Sequence, residues 1–235
     1  MNEILIVPDI HGRYFWEPAL NYGGEVIFLG DYTDPYPEEG FTQEDALQGL
    51  LRIVDFKQRN PDRVTLLIGN HEFHYYDYKF QAGRFSRDYY DRYNAIFTGE
   101  ATAGLFQICK KIDKYLFIHA GVTKGWYELH KNELLQCGDD LETQLNGLFL
   151  KNKNAFFEVS GERGGWDDFG SPLWAHIFEY DDEKEPFDSN IIQYVGHTQL
   201  IVPEPRIKHN VRLLDNRQLY LMKDDKLKVV KNGDL

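Results

Sequence analysis

Eight side chains able to hold a metal ion or move a proton sit just past short apolar runs in this sequence. The run "ILIV" (4–7) is followed by Asp9 and His11, and "EVIFLGD" (25–31) delivers Asp31 and then Asp34. "RVTLLIGN" (63–70) leads to Asn70 and His71, "KYLFIHAG" (114–121) contains His119, and "IIQYVGHT" (191–198) contains His197. Polar groups at the end of a core strand cost free energy unless something pairs with them. One such histidine is usually a satisfied structural residue. Five runs that end alike need a common cause. Carboxylate and amide oxygens mixed with imidazoles, without thiolates, suit manganese first, then iron or zinc, rather than a structural zinc site. So many donors in one place fit two divalent ions sharing a carboxylate, an arrangement that hydrolyses phosphate esters.

The elements that must position these residues are legible too. Continuous β-branched-rich runs of this length read as strands covered on both faces. In open α/β sheets the carboxyl ends of strands converge on one crevice, which would gather all eight groups. Between the strands, Thr42 and Asp45 resemble a capping box, followed by Ala46, Leu47, Leu50, Leu51 and Val54 at helical spacing until "RNPD". Residues 87–108 and 124–150 also read as helical. The C-terminal stretch "RIKHNVRLLDNRQLYLMKDDKLKVV" reads as strands joined by "DN" and "DD" turns. Residues 151–190, rich in Gly, Trp and acidic residues, are expected to form a surface excursion over one sheet edge. The whole reads as one layered α/β (α+β) domain spanning 1–235.

The composition narrows the function. With 26 Lys and Arg against 38 Asp and Glu, the formal charge is −12, which disfavours nucleic-acid binding. An anionic substrate would then need locally concentrated positive charge, such as metal ions. The 2 cysteines cannot build a disulfide framework. No stretch is long and apolar enough to cross a membrane, so no membrane partner and a cytoplasmic location are expected.

As an ordered set, "DIHG" (9–12), "GDYTD" (30–34), "GNHE" (69–72), "HAGV" (119–122) and "GHT" (196–198) resemble the signature of calcineurin-like metallophosphoesterases. The likeness is nearest to the branch of Ser/Thr phosphoprotein phosphatases and symmetrical diadenosine tetraphosphatases, and "SPLW" (171–174) resembles a further segment of that branch. The resemblance implies a β-sandwich flanked by helices. It implies that Asp9 and His11 bind a first metal, that Asp31 bridges, and that Asn70, His119 and His197 bind a second. It also implies that His71 is the general acid, held by Asp34, and that a hydroxide acidified by both ions attacks phosphorus. Glu72 is expected to brace its loop by hydrogen bonds, and His74 to sit in an aromatic loop at the pocket rim.

The pattern breaks at one place. Phosphoprotein phosphatases continue the second motif as Asp-Arg-Gly, with the Arg gripping phosphate, whereas here Pro35 stands in that position. Proline cannot replace a guanidinium that binds two oxygens at once. Arg13, next to "DIHG", is the first substitute by sequence position, followed by Arg84 and Arg163. His130, His176 and His209 fall outside the motifs and read as structural or exposed. Trp166 and Trp174 fit either core or pocket rim.

The reading is a dinuclear phosphomonoesterase acting on phosphoprotein Ser/Thr or on small phosphate esters, with no protein partner indicated. Its alternatives are a dinucleoside polyphosphate hydrolase and a non-catalytic scaffold with the same fold.

Overall fold

A computed structural model describes residues 3–180 and 187–231. The chain divides into two compact units, one made of residues 1–107 and 217–235, the other of 108–216.

In the first unit, β1 (Ile4–Val7), β2 (Glu25–Phe28), β3 (Val64–Leu67) and β4 (Phe106–Gln107) run parallel to their neighbours. Because they are parallel, β1, β2 and β3 all end at one edge of the sheet, and Asp9, Asp31 and Asn70 follow those ends. Tyr220–Lys223 (β10) pairs antiparallel with β1, and Lys226–Val229 (β11) closes the sheet as order β11-β10-β1-β2-β3-β4. The expected "DD" turn is the β10–β11 hairpin, where Asp224 and Asp225 adopt φ values of 47° and 66°.

Helix α1 (Gln43–Arg59) starts at the expected capping box, with the Thr42 and Asp45 side chains each accepting from the other's backbone. It packs on β3 and buries Ala46, Leu47, Leu50, Ile53, Val54 and Phe56. Leu51, assigned to that stripe by spacing, is exposed, and Ile53 takes its place. Burying such aliphatic side chains stabilises by about 1.5–3 kcal/mol each, so packing rather than propensity holds the helix. After the short α2 (Asn70–Phe73), the stretch expected to be one helix over 87–108 is α3 (Tyr90–Thr98) flanked by 3₁₀ turns. Gly99, at the end of α3, ends the helical run.

The second unit holds Cys109–Ile112 (β5) and Tyr115–Ile118 (β6), then Lys124–Leu135 (α4) and Leu141–Lys151 (α5). The helical stretch expected over 124–150 consists of these two helices, parted at "QCGDD", where Asp140 caps α5 by accepting from Thr143. Strands β7 (Ile192–Val195), β8 (Arg206–Lys208) and β9 (Val211–Leu213) complete a sheet of order β5-β6-β7-β9-β8. The β8–β9 hairpin turns at His209–Asn210, and the expected "DN" turn falls at Asp215–Asn216, between β9 and β10. β6, β7 and β9 are parallel, so His119 and His197 follow strand ends on one edge of this sheet. The five motif-bearing strands therefore belong to two sheets, three in one and two in the other, rather than to one open sheet.

The described part of segment 151–190, expected as a surface excursion over one sheet edge, is mixed: Glu162, Trp166, Asp167 and Asp168 are exposed while other residues are core. Phe156, Ser171, Leu173 and Glu179 are fully buried, and Ala120 donates its N–H to the Pro172 carbonyl at 2.9 Å. Its residues 181–186 lie outside the described residues. Among the described residues no helix is long and apolar enough to cross a membrane.

Candidate active site

In the first unit one carboxylate clasps the loops after β2 and β3 together, and the loop after β1 joins them through Ile10 and His11, whose backbone N–H groups donate to the Asp31 carbonyl at 2.9 and 2.8 Å. Glu72 is wholly buried and accepts backbone N–H groups from Asp31 (2.6 Å), Tyr32 (2.8 Å), Thr33 (3.2 Å) and Gly69 (2.9 Å). The expected brace is thus present, and it crosses from the third motif to the second. Burial pushes the Glu72 carboxyl up, to about 8, with the Asp31 carboxylate adding to the shift and the backbone N–H donors opposing it. Gly69 permits the clasp, because a Cβ there would land on the Asp31 carboxylate. The backbone is left-handed at His11, Asp31 and Asp34 (φ 46°, 53°, 53°), a region that His and Asp enter more readily than other non-glycine residues.

His11 donates from Nδ1 to the Thr33 carbonyl at 2.8 Å, which leaves Nε2 as an acceptor. That nitrogen lies 3.3 Å from Asp31 Oδ2. Two acceptors facing each other at this distance need a proton or a cation between them, and a backbone carbonyl on the far nitrogen is the usual bracing of a metal-binding imidazole. His11, Asp31 and His71 each bring one donor atom to within 4.8 Å of the others. The donor set therefore fits a divalent ion. Asp9 and Asn70 are buried at the same strand ends, 1% and 3% exposed.

Asp34 is the second hub. Fully buried, it contacts His71 Nδ1 at 2.9 Å and His74 Nε2 at 2.6 Å through Oδ2, while Oδ1 accepts from Tyr75 (2.5 Å) and Gln43 (3.2 Å). Burial opposes its ionisation, yet the hydrogen bonds from His71 and His74 outweigh that and hold the carboxyl down at about 2. Burial pushes the His71 imidazole down to about 4, against the neighbouring Asp31 and Asp34 carboxylates. The hydrogen bonds agree on a neutral ring with its proton on Nδ1, because Nε2 faces a donor, the Arg84 guanidinium, at 3.1 Å. His74, expected at the pocket rim, is instead completely buried beside Asp34.

The three candidate arginines separate clearly. Arg13 is 6% exposed and spends its fork on Glu39, with Nε to Oε2 at 2.6 Å and NH2 to Oε1 at 2.9 Å. Arg84 lies beside the His71 and His11 rings, donates from Nε to the Asp34 carbonyl at 3.0 Å, and stacks 3.7 Å from the centroid of Tyr36. Arg163 belongs to the second unit, where it donates to the Thr198 hydroxyl and, at 3.4 Å, to the His197 carbonyl.

Within the second unit, His119 Nε2 and His197 Nδ1 face each other at 3.2 Å, with His197 in left-handed backbone (φ 66°). Trp174 packs its edge on His197 with ring centroids 5.9 Å apart, whereas Trp166 is fully exposed. Sequence reading missed Tyr75, Gln43 and Tyr36. Tyr75 lies inside the quoted third motif's continuation "HYY" and carried the only available signal.

The model of the calcineurin-like phosphoesterase family matches residues 3–199, so this chain belongs to the calcineurin-like phosphoesterases, a family of hydrolases. The catalytic subunit of serine/threonine-protein phosphatase 6 of Drosophila melanogaster is 38% identical over 75 residues, 29% of this chain and 22% of that relative. A cold-active protein-tyrosine phosphatase of the psychrophile Shewanella sp. superposes with a TM-score of 0.61 at 17% identity, covering 97% of this chain and 77% of that one. A protein serine/threonine phosphatase from Saccharomyces cerevisiae gives 0.54 at 14% identity, covering 99% and 82%. At these identities the structures share the fold, an α/β arrangement of two sheets with helices.

Proposed function

We propose that this chain is a phosphatase that hydrolyses phosphate monoesters with two divalent ions, and that residues 1–235 act as one catalytic domain. The observation that carries the reading is the Asp34–His71–Arg84 array beside His11 and Asp31: an oriented proton-transfer group and a guanidinium at one metal-binding corner. In this reading Asp9, His11 and Asp31 would hold one ion, and Asp31, Asn70, His119 and His197 would hold the other. When bound, the ions supply Lewis acidity and the positive charge that an acidic protein otherwise lacks.

The chain's own residues do the rest. Asp34 fixes the His71 ring by accepting from Nδ1, so Nε2 is the nitrogen presented to the leaving oxygen. Arg84, in contact with Nε2 in the structure, turns its two terminal nitrogens to the phosphate oxygens and frees that nitrogen to take up a proton from solvent. Asp34 then stabilises the imidazolium that donates it. Glu72 keeps the Asp31 and Asn70 loops in register.

Turnover of p-nitrophenyl phosphate with added manganese, iron or zinc tests the reading, followed by phosphopeptides, nucleotides and dinucleoside polyphosphates. Metal-dependent release of inorganic phosphate from monoesters is expected. No turnover with any metal would make the chain a scaffold, and cleavage confined to dinucleoside polyphosphates would replace the monoester reading.

A further inference from the structure

The Asp34–His71–Arg84 array joins two parts of the first unit that are distant in sequence: the second motif, which carries Asp34, and the loop that carries Arg84. Arg84 stands in left-handed backbone (φ 64°), a region that few arginines enter. Its Nε donates to the Asp34 carbonyl at 3.0 Å. One such bond is little to order a long side chain on a loop, since rotamer freedom must be given up to make it. Further contacts must set this loop.

Tyr75 supplies them. Its side chain is fully buried, and its hydroxyl oxygen lies 2.5 Å from Asp34 Oδ1 and 3.1 Å from the Ser86 backbone nitrogen. The Ser86 N–H can only donate, so it takes a lone pair of the phenol oxygen, and the phenol proton goes to the carboxylate. Burial, with the Asp34 charge, pushes the Tyr75 hydroxyl up and keeps that proton in place. The hydrogen bonds from Ser86 to Tyr75 to Asp34 thus run in one direction, each polarising the next. The ring is also wedged. Phe85 stacks on it with centroids 5.4 Å apart, Tyr93 lies at 4.6 Å, and Asn94 donates to the Tyr75 carbonyl at 2.8 Å. A phenylalanine would serve that packing equally well. The hydroxyl is what links the two residues after Arg84 to the carboxylate that orients His71.

We infer that Tyr75 is a positioning residue for the phosphatase reaction, an inference that rests on the reading above. Through Asp34 it holds the His71 ring, and through Ser86 and Phe85 it holds the Arg84 guanidinium. One side chain thereby sets the proton donor and the phosphate clamp relative to each other without touching substrate.

Tyr75→Phe keeps the ring and removes both hydrogen bonds. In the manganese-loaded chain, kcat for phosphoserine should fall by about 10-fold, the scale of one hydrogen bond to a charged group. The fall should be smaller for p-nitrophenyl phosphate, whose leaving group needs little protonation. Calorimetric titration with inorganic phosphate should show affinity weakened by about 5-fold, the scale of one neutral hydrogen bond, at unchanged metal content. In an Arg84→Ala background, Tyr75→Phe should leave phosphate affinity unaltered, because its route to phosphate is gone. Phe85→Leu, which loosens the loop but leaves the Tyr75 hydroxyl on Asp34, should weaken phosphate binding without changing the dependence on leaving group. Wild-type kcat and phosphate affinity in Tyr75→Phe would overturn the inference. So would an equal loss on both substrates with a phosphate effect that persists in the Arg84→Ala background. Should Tyr75→Phe fail to fold, unaltered phosphate affinity in Phe85→Leu overturns it. Wild type that turns over neither substrate would overturn the phosphatase reading, and this inference with it.

Discussion

Replacing Arg84 with alanine should weaken binding of phosphate to the catalytic site by roughly 10- to 150-fold while leaving metal content unchanged. The magnitude follows from one charge-assisted contact, worth about 1.5–3 kcal/mol, at about 1.4 kcal/mol per tenfold. Arg84 is the proposed clamp because its guanidinium lies 3.1 Å from His71 Nε2 and is oriented by the Asp34 carbonyl and the Tyr36 ring. Arg13 spends Nε and NH2 on Glu39, and its NH1 faces the Ile10 carbonyl at 3.5 Å. The assay is kcat/KM for p-nitrophenyl phosphate together with inhibition by inorganic phosphate, with elemental analysis and Tm as controls. Arg84→Lys should recover only part of the loss, because an ammonium keeps the charge without the fork. Arg13→Ala should lower Tm and leave phosphate inhibition near wild type. A silent Arg84→Ala beside a weakened Arg13→Ala would refute the argument.

Further outcomes follow from the same geometry. His71→Ala should lower kcat by about 10²–10⁴ with metal retained, and by less for p-nitrophenyl than for alkyl phosphates, since a good leaving group needs little protonation; an equal defect on both would remove His71 as the acid. Glu72→Gln places an amide N–H₂ against backbone donors, so it should lower both Tm and metal affinity, read by thermal melts and metal titration. His130 contacts Glu158 at 2.9 Å; burial lowers its pKa, but the hydrogen bond and charge of Glu158, with Glu133, more than reverse this, so the folded value is raised. That contribution to stability is fully present below the unfolded value of about 6.5 and is lost as pH rises through the folded one. The Tm difference between wild type and His130→Gln should therefore shrink with rising pH.

The parts of this account that sequence made legible share a physical cause. The ends of β1, β2 and β3 were readable because an apolar run that stops at a carboxylate or amide is expensive unless the polar group is used, and the Glu72 brace was readable because a buried carboxylate must find donors. Arg84 was only one of three candidates by sequence. What distinguishes it is contact with residues 50 positions back (Asp34) and 13 back (His71), which no local pattern encodes. His74 looked like rim because it sits in an aromatic stretch, yet those aromatics, Tyr75 and Phe85, wall it into the core beside Asp34. The division of five similar strands between two sheets was hidden for a related reason, since strand runs show burial but not pairing. The break between α4 and α5 coincides with "CGDD", where Gly138 and the Asp140 cap interrupt the helical stretch.

The central claim is that two divalent ions held partly by Asp31 carry out the hydrolysis. Metal content per chain and p-nitrophenyl phosphate turnover, measured together on wild type and Asp31→Asn after metal loading, test it most directly. The account predicts close to two ions per wild-type chain, with content and turnover falling together in the variant because the shared ligand is lost. A full metal complement and wild-type turnover in Asp31→Asn would contradict it.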